Sequence, residues 1–461
     1  MGEAGLGLRA TTNRYFCAGR RLLQSGWSTY RLELVNIAWL VGDRVLRVLG
    51  TFVITVLAAR LIGPAAFGDI SFAHTVLAFL LLWVALGLQS LVVKHIISNP
   101  DNAGTTLGTA CLLQFLAVAT TLAAMFGYRA LFVATPSSYE TLVAIMAVGL
   151  LFRPTEVIRY WFESQVHAKY AVVADNIAFF CGSALKILSL YLWHSIEAFA
   201  WATAIEQLIA GVYLLVMYRR YPGRPGKWHV QAALAWQLLN EAWPLLIAGI
   251  AIAIYTRIDQ IVLMHFQGSS ETGIFAAASR LSELFYVVPT VLATTLFPRL
   301  QRLHLAAPQE HFRAMLRIMS SLTAVSILVS LAISLLAPQI VSLIYGPSYA
   351  TAAMVLSVHI WTSVFVCLGV TGNQWYLSHG MQRKTLVFTI LGAMTNLSVN
   401  MLLVPYWGAV GAAVASLAAQ IVSALLADAL SAVTRPIFYA KVKALIFPFT
   451  GSIALVKKVV E

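Results

Sequence analysis

Charge is scarce in this chain. Of 461 residues only 11% are Asp, Glu, Lys or Arg, and acids are the rarer sign, 18 against 31 Lys plus Arg. A soluble domain carries about 25% charged residues, so a chain exposed to water along its whole length is excluded. Cysteine is sparse as well: Cys17, Cys111, Cys181 and Cys367 have neither metal nor disulfide spacing, and the last three fall inside apolar stretches, where they read as small packing residues. A Walker A loop, His-Glu-x-x-His and Gly-x-Ser-x-Gly are all missing, so the sequence offers no P-loop ATP hydrolysis and no familiar hydrolase centre. After the N-terminal arm no loop exceeds roughly twenty residues, which leaves no room for a soluble catalytic domain. No enzyme activity, resident metal or cofactor is expected.

What is abundant is hydrocarbon. Sixty per cent of residues are apolar, in runs of about 20 between short polar breaks, the length a helix needs to cross roughly 30 Å of lipid. Continuous runs favour helices over the alternating pattern of an outer-membrane barrel. The sequence therefore predicts an all-α polytopic membrane protein with about twelve transmembrane helices in two six-helix bundles. The spans are expected at 34–61, 70–93, 107–127, 141–162, 171–193, 196–218, 236–265, 273–298, 315–337, 350–376, 385–404 and 408–433.

Residues 1–33 form a basic arm with Arg9, Arg14, Arg20, Arg21 and Arg31 and no signal-peptide pattern, so the first span is expected to serve as the targeting signal. The net charge of +13 is spread over many short loops rather than gathered on one domain, which argues for membrane topology and against nucleic acid. Lys94, Lys169, Arg219, Arg220, Arg224, Lys227, Arg302, Arg383, Lys384 and Arg435 all fall on the side of the N-terminal arm, whereas only Arg60 and Arg129 fall on the other. The positive-inside rule then places both termini in the cytoplasm.

Two internal echoes suggest a repeat. Leu61-Ile62-Gly63-Pro64 followed by Gly68 resembles Phe266-Gln267-Gly268 followed by Gly273, and Trp161-Phe162-Glu163-Ser164 resembles Trp375-Tyr376-Leu377-Ser378. Parallel six-span repeats would be related by an axis along the membrane normal, with the substrate path between them. The expected organisation is a 34–218 bundle, a basic 219–235 linker, a 236–434 bundle and a 435–461 cytoplasmic or interfacial tail. The tail holds Lys441, Lys443 and Pro448, which argue against a further span.

Seven cations lie within or beside these spans: Arg44, Arg47, Arg153, Arg159, Lys186, Arg257 and Arg280. A cation at the middle of a membrane helix costs roughly 2.5 to 3.5 kcal/mol on insertion scales, so it normally faces water, a ligand or a counter-charge. Asp43 and Arg47 are four apart with the acid first, which permits simple neutralisation, and Arg44 is left over. Arg153, Glu156, Tyr160 and Glu163 form a stripe interrupted by Pro154, where local pairing is again an alternative. Arg257 and Asp259 are two apart and cannot face one another, so each needs a partner on another helix or a ligand. Arg280 and Glu283 share a polar face with Ser279, Ser282 and Tyr286. Lys186 and Asp175 lie on one face about three turns apart, too far for contact. His74 and His359 can be proton carriers or satisfied packing residues. The last four spans are nearly uncharged and read as scaffold or lipid-facing, with Asp428 the exception.

Ala59-Arg60-Leu61-Ile62-Gly63-Pro64-Ala65-Ala66-Phe67-Gly68 and Glu156-Val157-Ile158-Arg159-Tyr160-Trp161-Phe162-Glu163-Ser164-Gln165 resemble the O-antigen and exopolysaccharide flippases of the multidrug, oligosaccharidyl-lipid and polysaccharide exporter superfamily. The resemblance covers most of the chain, though the extra helix pair of fourteen-span lipid II flippases is missing and the second-half copy of the motif is degenerate. It implies movement of an undecaprenyl-pyrophosphate-linked oligosaccharide from the cytoplasmic to the periplasmic leaflet of a bacterial inner membrane, by alternating access, with membrane lipids around it and polysaccharide polymerase machinery as a possible neighbour. Under that implication Arg44, Arg47, Arg153, Lys186, Arg257 and Arg280 are the candidates for pyrophosphate binding, and Asp43, Glu156, Asp175, Asp259 and Glu283 are the candidates for H+ or Na+ coupling. A multidrug antiporter of the same fold, exporting organic cations, is the alternative; it calls for a cavity of net negative charge. A polymerase or ligase of lipid-linked glycans calls for a long periplasmic loop, which the sequence lacks.

The asymmetry of Lys and Arg is directly testable. A reporter fused after Arg224 is expected to be cytoplasmic and one inserted between Gly268 and Glu271 periplasmic; finding both on one side overturns the orientation.

Overall fold

The computed structural model describes residues 47–132, 137–167 and 169–447. Among them there is no strand, and ten helical segments are long and apolar enough to cross a membrane. They are α1 (Arg47–Ser98), α2 (Pro100–Leu131), α3 (Ser138–Ser164), α4 (Lys169–Leu192), α5 (Ile196–Arg220), α6 (Ala232–Phe266), α7 (Gly268–Leu292), α8 (Gln309–Ile344), α9 (Ala352–Ser378) and α10 (Gln382–Leu430). Helices are the form that lipid demands, because each satisfies its own backbone hydrogen bonds.

Segments α1 and α10, of 52 and 49 residues, are each long enough for two crossings of about 20 residues. Each holds a glycine in the left-handed region where a pair of expected spans meets: Gly63 at φ 77° and Gly408 at φ 51°. At Gly408 the following amide, Ala409 N–H, donates to Glu271 at 2.8 Å, and a Cβ at position 408 would lie 2.6 Å from that carboxylate. The site thus requires glycine for its dihedrals and for space. Local chemistry sets other boundaries. Ser137 opens α3 with a capping box, its amide donating to Glu140 at 2.8 Å, and Ser195 caps α5 by accepting from Ala198 N–H at 3.2 Å. Pro154 falls in a 3-10 stretch, Gly149–Thr155, within α3.

Within residues 54–461, α4 packs on α5, and α3 lies between α2 and α5. In the second half α6 packs along α10, and α9 contacts α7, α8 and α10. Both tryptophan motifs close aromatic cores. Trp161 meets the rings of Phe162, Tyr218 and Tyr221, and Trp375 meets Tyr376 and His379. The tail departs from the surface-lying segment expected of it: Arg435–Ile446 forms a helix, α11, which buries Ile437, Ala440, Lys441 and Ala444 against α8 and the end of α10. Apolar residues that remain exposed, such as Leu335, Leu343 and Tyr406, are suited to lipid contact.

The glycine echo has a structural meaning that periodicity alone does not supply. Gly63 and Gly268 have matching dihedrals, φ 77° and 79°, and five residues on, Gly68 and Gly273 pack against each other. A Cβ on Gly68 would stand 1.8 Å from the Ser269 carbonyl oxygen, and one on Gly273 would stand 1.9 Å from the Pro64 carbonyl oxygen. Each glycine therefore meets the residue that follows the other copy's left-handed glycine, the reciprocity of a local two-fold axis. Small residues permit this backbone approach in a membrane, where packing takes the place of the hydrophobic effect. Nearby, Ser269 Oγ donates to Asp69 and Tyr349 OH donates to the Ala59 carbonyl at 3.1 Å.

Gly68→Ala or Gly273→Ala is accordingly expected to abolish this contact and lower the melting temperature of the purified protein. Gly127→Ala, where a Cβ meets nothing within 4 Å, is expected to be neutral or to stabilise its helix by up to about 1 kcal/mol. Equal melting temperatures for all three variants would show that the contact contributes nothing.

Candidate functional site

Most intramembrane charges in the first half find protein partners. Arg159 is the hub: its Nε donates to Glu156 at 2.7 Å, and its two terminal nitrogens donate to both oxygens of Asp175 at 2.8 and 2.5 Å. Arg153 adds a bond of 3.2 Å to Glu156. This bidentate geometry holds α3 to α4, and a half-buried cluster of two arginines and two acids has little net charge to offer a ligand. Lys186 on α4 donates to Glu206 on α5 at 2.6 Å. Gly182, one turn before Lys186, makes room for that pair, since a Cβ there would fall 2.7 Å from Glu206 Oε2.

A different environment lies where α1, α4, α6 and α7 bring cations together. His74 stands with its ring edge-on to Phe199 at 6.3 Å and within Coulomb range of Lys186, Arg280 and Arg257. Arg280 reaches Glu283 only loosely, at 3.7 Å, and keeps 33% of its side-chain exposure although it is surrounded by helices. Arg257 is half-buried, is repelled by Arg280, and has neither a hydrogen bond nor an ion pair among the described residues. Three cations therefore face one interior region in which Glu206 and Glu283 are the only paired counter-charges among the described residues. Such a field favours anions.

Asp259, two residues from Arg257, turns the other way into the second half. It is buried and accepts hydrogen bonds from Asn400 Nδ2 at 2.7 Å and Asn396 Nδ2 at 3.4 Å, with the Ser416 hydroxyl as a further donor. Asn400 Oδ1 is enclosed there without a donor among the described residues. On the opposite side of α6, Gln260 accepts from Thr75 at 2.6 Å. Toward the basic end, Lys441 and Asp428 pair at 2.7 Å with side-chain exposures of 1% and 0%, and Tyr376 OH donates to the same carboxylate. Burial draws the Lys441 ammonium toward its neutral form, and Asp428 opposes that shift. Asp43 and Arg44 lie outside the described residues, and Arg47 is a half-buried residue at their edge.

A model of the family described as polysaccharide biosynthesis protein matches residues 34–304. The chain belongs to that family. It is 22% identical over 385 residues to the probable flippase AglR of Haloferax volcanii, an alignment spanning 81% of this chain and 78% of that one. It is 21% identical over 384 residues to a putative O-antigen transporter of Shigella dysenteriae, spanning 81% and 93%. Among solved structures it is similar to the lipid II flippase MurJ in an inward closed conformation, with TM-score 0.72 and 14% identity over 88% of this chain and 90% of that one. An inward-facing multidrug resistance MATE family transporter of the MOP superfamily gives TM-score 0.67 and 17% identity over 86% and 96%. The fold is that of these polytopic transporters.

For this family member the structure redistributes the candidate residues. Arg153, Glu156 and Asp175 form a joint between α3 and α4 through Arg159; Lys186, Arg257 and Arg280 face the shared interior; Asp259 sits in an amide-lined pocket. Sequence reading overlooked Glu206, Gln260, Asn396 and Asn400. Glu206 carried a signal, as an acid inside an expected span, but amides in apolar helices carry no charge to draw attention. The spans reckoned as scaffold in fact supply the partners of Asp259.

If Lys186 and Glu206 act as a pair, removing one partner leaves the other exposed to lipid or cavity without compensation. Lys186→Met is expected to lower the amount of folded protein, and adding Glu206→Gln to restore it, because breaking a buried pair costs about 3 to 5 kcal/mol whereas replacing both members is near neutral. Folded yields that fall additively in the double variant would dissolve the pair.

Proposed function

We propose that the protein is a flippase that carries an undecaprenyl-pyrophosphate-linked oligosaccharide from the cytoplasmic to the periplasmic leaflet, with both termini in the cytoplasm and twelve crossings arranged as two six-helix bundles. The observation that carries this reading is Arg257: a half-buried guanidinium with no carboxylate partner among the described residues, in a region it shares with Arg280, Lys186 and His74. A pyrophosphate supplies the missing negative charge, and the planar fork of Arg suits its oxygens. The names borne by the relatives from Haloferax volcanii and Shigella dysenteriae, a flippase and an O-antigen transporter, agree with such a cargo. The polyprenyl tail remains in lipid while the head group crosses the polar interior.

Alternating access requires contacts between the halves that can open at one end while the other stays shut. Near Gly63 and Gly268 these are the reciprocal glycine contact and the Ser269–Asp69 bond. Near the basic end they are Glu241 with Lys94 at 3.8 Å and His95 at 3.7 Å, and Gly87 against the backbone of Leu246. In the same reading Asp259, with Asn396, Asn400 and Ser416, binds Na+ or H+. A single carboxylate ringed by neutral oxygens suits a small monovalent cation, and the burden of burying its charge is lifted when the cation binds.

In reconstituted vesicles, a polyprenyl-pyrophosphate oligosaccharide is expected to change leaflet in a protein-dependent manner. Arg257→Ala should slow it by about tenfold to a hundredfold, the loss of one charge-assisted hydrogen bond of about 1.5 to 3 kcal/mol, without changing membrane abundance. Arg257→Lys behaving as wild type would reject bidentate recognition. Efflux of ethidium-like cations with no movement of the lipid-linked sugar would reject the flippase in favour of the antiporter.

A further inference from the structure

Between Asp259 and the basic end of the second half runs a line of polar groups in otherwise apolar helices. On α10, Thr385, Thr389, Asn396 and Asn400 recur at helical spacing with Gly392 among them, so they share one face. A cavity of about 200 Å³ opens along this face, lined by Asn373, Thr385, Thr389, Gln420, Ser423 and the Lys441 ammonium. That volume has room for several water molecules, and hydroxyl and amide walls can hold them. Residues 385 to 396 span about 16 Å of helix, a substantial part of the hydrocarbon thickness.

The cavity is closed at two levels. At the basic end, the Lys441–Asp428–Tyr376 cluster ties α11 to α9 and α10, with Lys441 Nζ also donating to the Ala424 carbonyl at 2.7 Å. The pair is neutral as a whole, so it presents no electrostatic barrier to a passing cation. At the inner end, Tyr255 and Ser423 share a hydrogen bond of 2.7 Å that lies over Gly392, whose Cβ, if present, would stand 2.7 Å from the tyrosine ring and 2.8 Å from Ser423 Cβ. Beyond this closure Asn396 Nδ2 bonds both the Tyr255 carbonyl, at 3.0 Å, and Asp259. The enclosed Asn400 Oδ1 points to an occupant of the pocket that supplies positive charge or a donor.

We propose that this polar passage inside the second half is the route by which a small monovalent cation moves between Asp259 and the cytoplasm, and that the Tyr255–Ser423 bond over Gly392 is its gate. The proposal rests on the ion-coupled reading above and adds a path that does not pass through the cargo cavity. It separates the two solutes: the anion crosses between the halves, the cation through the interior of one of them. Gly392 is required because any side chain there fills the gap that the gate must open.

The test uses full-length protein in vesicles, with Cys17, Cys111, Cys181 and Cys367 replaced by Ala. Thr389→Cys is expected to react with a membrane-impermeant cationic methanethiosulfonate from the face bearing Arg435 and not from the other. Release of radioactive sodium to that face should slow by about tenfold in Gly392→Val and quicken in Tyr255→Phe, with equilibrium sodium binding unchanged in both; a tenfold change in rate is about 1.4 kcal/mol of barrier. The opposite signs of these two changes separate gating from misfolding. An unreactive Thr389→Cys, reaction from the opposite face, unaltered release in both variants, or no sodium held by the wild type overturns the passage. Failure of lipid-linked sugar to move, with the labelling and release results intact, rejects the flippase and leaves the passage standing.

Discussion

A charge in hydrocarbon must be compensated, and that constraint orders this molecule. Arg153 and Arg159 are compensated by Glu156 and Asp175, Lys186 by Glu206, Lys441 by Asp428. Each pair joins segments that the chain brings together from different spans or turns, so electrostatic necessity doubles as architectural instruction. Against this background a cation left without a partner is informative. Arg257 departs from the rule, and Arg280 obeys it only at 3.7 Å. Both lie where the second half turns toward the first, which is where a transporter needs an unfilled electrostatic demand. The constraint therefore partitions the arginines by task, those that hold helices together and those that wait for an anion.

How much of this was legible in the sequence depended on the kind of signal. Helices and their approximate places followed from apolar runs, because lipid admits few other backbone arrangements. Joining of neighbouring spans into segments of 52 and 49 residues was not legible, since a left-handed glycine within a continuous helical stretch looks like an ordinary loop glycine. For the site, Arg257 and Asp259 could be separated by arithmetic alone, as residues two apart point to different sides of a helix. Arg159 could not be recognised as the hub of its cluster, because its bidentate partner Asp175 is 16 residues away on another helix. Asn396 and Asn400 were invisible for a simpler reason: neutral amides leave no mark on a charge count, yet their dipoles do the solvating.

The matched glycines show how a repeat becomes a mechanism. Had Gly68 and Gly273 merely occupied equivalent loops, the echo would be a record of ancestry. Instead the copies touch each other, reciprocally and at backbone distance. Contact of this kind has few intermediate positions, because removing a side chain removes the soft material that would yield gradually. An interface of bare backbones is either seated or apart, and this discreteness is what a switch between two access states requires.

The buried pair of Lys441 and Asp428 also orders events in time. Asp428 is synthesised first, at the end of the last apolar segment, and its partner follows 13 residues later on α11. While the chain emerges, the carboxylate reaches the bilayer edge before its ammonium exists. Only when α11 folds back against α8 and α9 does the acid find its counter-charge and the second half close. The tail helix thus works as a latch set at the end of biogenesis, and a chain halted before it would carry an unanswered negative charge in its core, a defect that the cell's surveillance of membrane proteins can read.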